Sequence, residues 1–259
     1  MIHKGVVLAG GTGSRLAPAT NVTNKHLLPV GSDPMIYYPI RSLVQEGVSK
    51  ILVTLGGNAV GDVVRVLAEE PEFESVEFTF RYQRRAGGIA EALGLAEDFV
   101  GDDRFCVFLG DNILLGGLGD AFADFSQDAG AGAMVFLKEV RDPQRFGVAV
   151  IDGGRIVRVL EKPKSPPSNL AIIGVYLYTP DVFSVTRSLN RSARGEMEIS
   201  DVQSHYVREA MLRHRIVKND WTDAGTPHSL ARANMAVLSP ESLSRVMQDI
   251  AFGKDSAGE

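Results

Sequence analysis

The chain has a single cysteine, Cys106, so no intrachain disulfide is possible. It sits in the apolar run Phe105-Cys106-Val107-Phe108-Leu109 and reads as a small buried hydrophobe. Positive charge is not in excess: 27 Lys and Arg face 32 Asp and Glu, for a net charge of −5. A nucleic-acid-binding surface wants a basic surplus, so no such partner is expected. No apolar run is long enough to span a bilayer, and the N-terminus reaches its glycines too soon for a signal peptide. A soluble cytoplasmic protein without a membrane partner is the expectation. Histidine is sparse: His3, His26, His205, His214 and His228 show no metal-ligand spacing and read as structural or surface residues. There is no G-x-S-x-G elbow and no Cys–His pair, so covalent nucleophilic catalysis is not expected.

Two phosphate-binding signatures are also missing. No G-x-x-x-x-G-K-[ST] string occurs near the N-terminus. Gly11-Thr12-Gly13-Ser14-Arg15 runs into Leu16, so the third glycine of a dinucleotide fingerprint is absent. What stands there instead is a buried strand, Gly5 to Leu8, breaking into Gly10, Gly11 and Gly13 and followed by Arg15 and Lys25. Clustered glycines let the main chain turn with positive φ and let a ligand approach it closely. Successive N–H groups in such a turn form a concave nest for an anion. Arg15 adds a planar fork and Lys25 a mobile point charge. The stretch reads as a loop that holds a polyphosphate.

The 259 residues, 44% apolar and 23% charged, suit an ordinary folded α/β protein. Over the first half, short continuous apolar strands (50–55, 76–82, 104–109) alternate with helical segments (35–47, about 60–69, 88 to about 98). That is the pattern of a parallel sheet covered on both faces. The second half adds strands at 131–139, 146–151, 155–160, 170–178 and 215–218. Asp152-Gly153-Gly154 marks a hairpin between the second and third of these. A helix follows Pro180, and Ser200 to Gln203 reads as a capping box for a helix to about Arg213. Trp221 to Gly225 reads as a turn, and Thr226-Pro227 as N-cap and N1 of a helix reaching Val237. The expected fold is a three-layer α/β/α arrangement with a mostly parallel, mixed central sheet. A single α/β domain is expected over 1–238, with a short C-terminal helix and tail over 239–259.

Asp111 follows the carboxyl end of a buried strand, the edge where ligands bind in open α/β sheets. Together with a distant Asp223 it offers the one or two protein oxygens that Mg²⁺ takes beside phosphate. Taken singly, Asp111 also fits a cap or turn, and Asp223 an ordinary turn carboxylate. Glu161-Lys162-Pro163 and Arg194-Gly195-Glu196 read as solvated turns unless a ligand sits over them. Trp221, the one tryptophan, fits packing or a sugar wall.

These pieces resemble the sugar-1-phosphate nucleotidylyltransferases, most closely those that make a thymidine nucleotide sugar from glucose 1-phosphate. The resemblance rests on LAGGTGSRL (8–16), NKHLLPV (24–30), PMIYYP (34–39), GDN (110–112), FGV (146–148), EKP (161–163), GEMEISD (195–201) and WTDAGT (221–226), in that order. It covers about 2–237. It implies transfer of a nucleotidyl group from a pyrimidine nucleoside triphosphate, dTTP or UTP, to a hexose 1-phosphate, releasing pyrophosphate. It further implies that Leu8, Gly10, Gly11, Gly13, Arg15 and Lys25 hold the triphosphate and that Gln83 and Gly88 read the base. Asp111 and Asp223 would bind Mg²⁺. Gly147, Glu161, Lys162, Val175, Arg194 and Trp221 would line the sugar-phosphate pocket. Arg15, Lys25, Asp111 and Lys162 would be the catalytic set, and the assembly a homo-oligomer. A non-catalytic nucleotide-sugar-binding relative is the rival from another class. Two departures stand out: His26 where glutamine is frequent, and Arg84-Arg85 after Gln83.

Overall fold

The computed structural model describes residues 2–238 together with Ser242 and Ser244. The helix and tail expected over 239–259 lie outside the described residues apart from those two. Thirteen strands run in chain order: β1 Lys4–Ala9, β2 Pro29–Val30, β3 Asp33–Pro34, β4 Lys50–Leu55, β5 Glu77–Tyr82, β6 Phe105–Leu109, β7 Asn112–Leu115, β8 Ala133–Glu139, β9 Gly147–Asp152, β10 Arg155–Glu161, β11 Leu170–Tyr178, β12 Leu212–Ile216 and β13 Asp220–Asp223. The α-helices are α1 Tyr37–Gln45, α2 Val60–Ala68, α3 Ile89–Gly94, α4 Glu97–Val100, α5 Ala121–Gln127, α6 Val182–Ser188, α7 Ile199–Arg208 and α8 Pro227–Val237.

Nine strands form one mixed sheet in the order β10-β9-β11-β6-β1-β4-β5, with β8 and β12 on the far edge of β11. The β6-β1-β4-β5 half is parallel, as the alternation of strand and helix requires. Burial on both faces explains the continuous apolar runs. On β1, Val7 and Ala9 join the cluster beneath α1, α2 and α5, while Val6 and Leu8 join the one beneath α3, α6 and α7. Cys106 is fully buried in the first of these, as expected. The chain is three layers throughout, and the second half extends the same sheet. No helix of the described residues is long and apolar enough to cross a membrane.

The Gly153-Gly154 hairpin turns as expected, with both glycines at positive φ. Four elements differ from their sequence reading. The helix opened by Gly88 stops at Gly94 and restarts at Glu97, because glycine is a poor interior helix residue. Ser200 does not cap α7: the N-cap is Glu198, and Ser200 lies buried inside the helix. That helix ends at Arg208, where Ala210 takes a left-handed conformation, and the following strand starts three residues early, at Leu212. Trp221 to Asp223 is strand, not turn, because it pairs antiparallel with β7, an element the sequence pattern did not show.

The sheet divides at β11. Val175 to Tyr178 pair with β6, whereas Ala171 and Ile172 pair with β9 on the same edge. Between them Gly174 has no strand partner on that edge, and its N–H donates to the side-chain carbonyl of Asn112 at 2.9 Å. A Cβ on Gly174 would lie 2.7 Å from that side chain, so only glycine fits. Gly174→Ala is therefore expected to lower stability by about 1–3 kcal/mol. An unchanged midpoint of urea unfolding would show that Asn112 does not fill this gap.

Candidate active site

The fork opens into a cleft of about 360 Å³ on the carboxyl-terminal side of the parallel strands. Its first wall is the glycine loop. β1 ends at Ala9, and Gly13 makes the turn at φ +68° that starts a single 3-10 turn carrying Arg15. A second 3-10 turn, Lys25–Leu27, carries Lys25. Asn24 fixes it: its amide donates to Gly56 and Asn58 carbonyls at 3.0 Å, and its Oδ1 accepts from the His26 N–H. The His26 ring is fully buried, its Nδ1 is 2.8 Å from the same Oδ1, and burial with help from Lys25 pushes its pKa down to about 3. His26 is thus a neutral structural residue, as its sequence reading held.

Gln83 follows β5 and is 8% exposed. Its side-chain carbonyl lies where a Cβ on Gly10 would be, so Gly10 permits the close approach of these two walls. Gly88, at the N-cap of α3, completes this end of the cleft.

The two carboxylates come together through the ribbon of β7 and β13. Asp223 pairs in register with Asn112, and the Ala224 N–H donates to the Asp111 carbonyl at 2.7 Å. A sequence separation of more than a hundred residues is closed by four residue pairs. Burial alone would push the Asp111 carboxyl up. The Lys25 ammonium, 2.7 Å away, together with a hydrogen bond from the Asn112 amide, holds it well below the usual carboxylate range. The Asp223 carboxyl is pushed up, first by burial and then by the nearby Asp111 charge, against Arg145 and Arg15. Arg145 contacts both Asp223 oxygens through Nη2, at 3.0 and 3.1 Å, and holds Asp142 through Nη1 at 2.8 Å. Two neighbouring half-buried carboxylates, each paired with a cation, suit a hard divalent cation bridged to phosphate. Among the described residues no set of three or more His, Cys, Asp or Glu forms a metal cage, so phosphate and water oxygens must complete any coordination shell.

The far wall comes from β9, β10, β11 and the turn before α7. Gly147 pairs with Glu161 across the hairpin. Lys162 follows at φ +40°, a conformation uncommon outside glycine, with its ammonium 3.1 Å from Glu161. Arg194 donates to Glu198 at 2.8 and 3.2 Å and to Glu161 at 3.1 Å. Trp221 donates its indole N–H to Asn112 at 2.7 Å and meets Phe146 edge-on.

Leu8, Gly10, Gly11, Arg15, Lys25, Gln83, Gly88, Asp111, Gly147, Glu161, Lys162, Arg194, Trp221 and Asp223 all line this one cleft. Gly13 does not, since its place is the turn itself, against Thr20 and Lys25. Neither does Val175: strand alternation turns its side chain into the opposite core, and Gly174 and Tyr176 face the cleft instead. The sequence reading missed Arg145, Asn112 and Tyr176. For Arg145 and Asn112 the signal was position, beside the quoted FGV motif and inside GDN. For Tyr176 it was the period-two face of β11.

The Lys25–Asp111 pair has a pH signature. Because the folded carboxyl of Asp111 lies below its ordinary value of 3.8, the pair stabilises the fold fully above that value and loses its contribution as the pH falls further. Lys25→Met leaves a buried carboxylate without its counter-ion and is expected to destabilise by about 3 kcal/mol at neutral pH. In that variant burial raises the carboxyl, so the deficit should shrink on acidification towards about pH 5. Urea unfolding at both pH values measures this; a deficit independent of pH would exclude Lys25 as the group that holds Asp111.

The nucleotidyl transferase family model matches residues 4–240. The low-salt glycan biosynthesis nucleotidyltransferase Agl11 of Haloferax volcanii is 41% identical over 245 residues, covering 93% of this chain and 68% of the relative. A glucose-1-phosphate thymidylyltransferase of Neisseria meningitidis is 37% identical over 246 residues, 93% of this chain and 84% of its own. Among solved structures, a Bacillus anthracis protein assigned as a glucose-1-phosphate thymidylyltransferase and crystallised with sucrose superposes with a TM-score of 0.85 at 49% identity, covering 91% of this chain and 96% of its own. With a family model spanning the whole described sheet and a cleft built from the residues that its motifs carry, this chain belongs to the nucleotidyl transferase family.

Proposed function

We propose that the chain transfers a thymidylyl group from dTTP to glucose 1-phosphate, releasing pyrophosphate and using Mg²⁺. The observation that carries this reading is the single cleft in which a glycine loop, two carboxylates and two separate cationic walls face one another. One wall, Gly10, Gly11, Arg15 and Lys25, suits a triphosphate. The other, Lys162 and Arg194 beside Glu161 and Trp221, suits a sugar phosphate. The named thymidylyltransferase relatives support the choice of substrates.

The chemistry demands little of a general base. A phosphate monoester has its second pKa near 6 and is already mostly ionised at neutral pH. This agrees with a cleft that His26 does not enter as a titrating group. The barrier lies in bringing two anions together in line and in neutralising charge at the α-phosphorus. Arg15 and Lys25 bind the nucleotide phosphates, and Lys162 and Arg194 orient the attacking phosphate. Asp111 and Asp223 would hold Mg²⁺, which supplies charge neutralisation at the reacting phosphates. Gln83 can accept from N3–H and donate to O4 of thymine or uracil. The same contacts suit UTP, the nearest alternative triphosphate, because Gln83 does not touch the features that separate the two nucleotides.

Pyrophosphate release measured with glucose 1-phosphate against dTTP, UTP, CTP and ATP tests the reading. Turnover is expected with dTTP above the others, and absence of turnover with every triphosphate in Mg²⁺ would remove it. Asp111→Asn should fold but lose on the order of a hundredfold or more in kcat, since a charged group facing the phosphates is gone. A variant with wild-type rates would take Asp111 out of the site.

A further inference from the structure

The reaction leaves one buried polar group of the cleft without a role. Gln203 lies one helical turn after Ile199 on α7, is 1% exposed, and lines the cleft. Its Nε2 has no hydrogen-bond partner. The hydroxyl of the fully buried Tyr178 is likewise unpartnered. The two side chains are neighbours, because the Gln203 amide acts on the Tyr178 hydroxyl and lowers its pKa slightly against a much larger upward push from burial. The amide stands within hydrogen-bonding reach of that hydroxyl, and its remaining donor and acceptor capacity is left for a ligand. Buried polar groups without partners are rare, since each forfeits its hydration for nothing.

The position of this pair says what it meets. Ile172, Gly174 and Tyr176 present alternate side chains of β11 to the cleft, and Tyr178 is next in that row, its ring 6.0 Å from that of Tyr176. At the outer end of the row Ile172 pairs with Gly147, which in turn pairs with Glu161. The row therefore leads from the sugar-phosphate wall inward to Gln203. The same helix has Glu198, the partner of Arg194, at its N-cap. Ile199 lies one turn before Gln203 on the same helix, and Ile89 and Leu109 add further apolar lining to the cleft. The nucleobase end is at the other wall, where Gln83 packs against Gly10.

We infer that Gln203 is a specificity-determining residue that hydrogen-bonds one hydroxyl of the hexose ring. The inference rests on the reaction proposed above. A carboxamide both donates and accepts, and so does a sugar hydroxyl, whereas a phosphate offers only acceptors and would favour the cationic wall. A single amide in an apolar floor fixes one polar group of a ligand and leaves the rest to shape. A sugar that lacks that hydroxyl leaves the amide unpaired, and the enzyme discriminates against it.

The test uses the full chain, dTTP, and glucose 1-phosphate beside its 2-, 3-, 4- and 6-deoxy analogues, reading kcat/KM from pyrophosphate release. The wild-type protein is expected to disfavour at least one deoxy analogue by about tenfold or more. Gln203→Met, which keeps the length of the side chain and removes its hydrogen bonds, should lose about tenfold on glucose 1-phosphate and erase the discrimination at one ring position only, with KM for dTTP unchanged. Equal kcat/KM for all analogues in the wild-type protein overturns the inference without any variant. So does a Gln203→Met protein with the wild-type pattern of selectivity, which would mean that the amide serves only the Tyr178 hydroxyl. If the wild-type protein turns over no hexose 1-phosphate at all, the proposed reaction is overturned and this inference with it, an outcome distinct from the other two.

Discussion

One buried side chain, Asn112, carries the geometry of the cleft. Its carbonyl oxygen accepts from the Gly174 N–H on β11 and from the Trp221 indole on β13, and its amide donates to Asp111. It stands where the sheet divides and where two strands on one edge leave a gap. A gap of that kind would orphan main-chain polar groups unless a side chain satisfied them. Filling it with an amide rather than with another strand leaves open space beside β11. The candidate cleft is that space.

The same economy governs charge. Asp111 and Asp223 are close enough for each to oppose ionisation of the other, and neither is left alone: Lys25 balances one and Arg145 the other. The pairing offsets the burial cost fully for Asp111 and only in part for Asp223, whose carboxyl stays pushed up. The cations that balance them also line the cleft, so the charges that balance the carboxylates are the ones that phosphate and metal would redistribute. On the opposite wall Arg194 is held by Glu161 and Glu198. Lys25, Arg145, Lys162 and Arg194 each have an acidic neighbour that fixes their position, as preorganised electrostatic sites require.

Much of this was legible in the sequence, for identifiable reasons. The parallel half of the sheet announced itself through continuous apolar runs, and β4 and β11 fall on the predicted residues because burial on both faces leaves no ambiguity of period. Thr226-Pro227 located α8, since cap chemistry is local, and its capping box with Ser229 is formed. The β7–β13 ribbon was not legible. Its four-residue strands are separated by over a hundred positions, and only the pairing makes Trp221 to Asp223 extended. Hence Asp223 looked like a turn residue even though its chemistry was readable. Val175 was assigned to the pocket because a motif names a neighbourhood, whereas strand alternation decides which side chain faces in. Arg145 had only its position beside FGV to mark it and Gln203 nothing at all, because their roles arise from partners they have, or lack, across the fold.

Helix α8 has a consequence for how the protein is made. Asn234 accepts from the Gly31 N–H and Val237 packs against Gly31, so the last described helix clasps the short β2–β3 hairpin that follows Lys25. These contacts join segments some two hundred positions apart. On the ribosome the glycine loop emerges some two hundred residues before its brace. Domains form from the N-terminus during synthesis, and distant contacts wait for the chain to supply them. The glycine-loop wall of the cleft is therefore secured only after α8 has been translated.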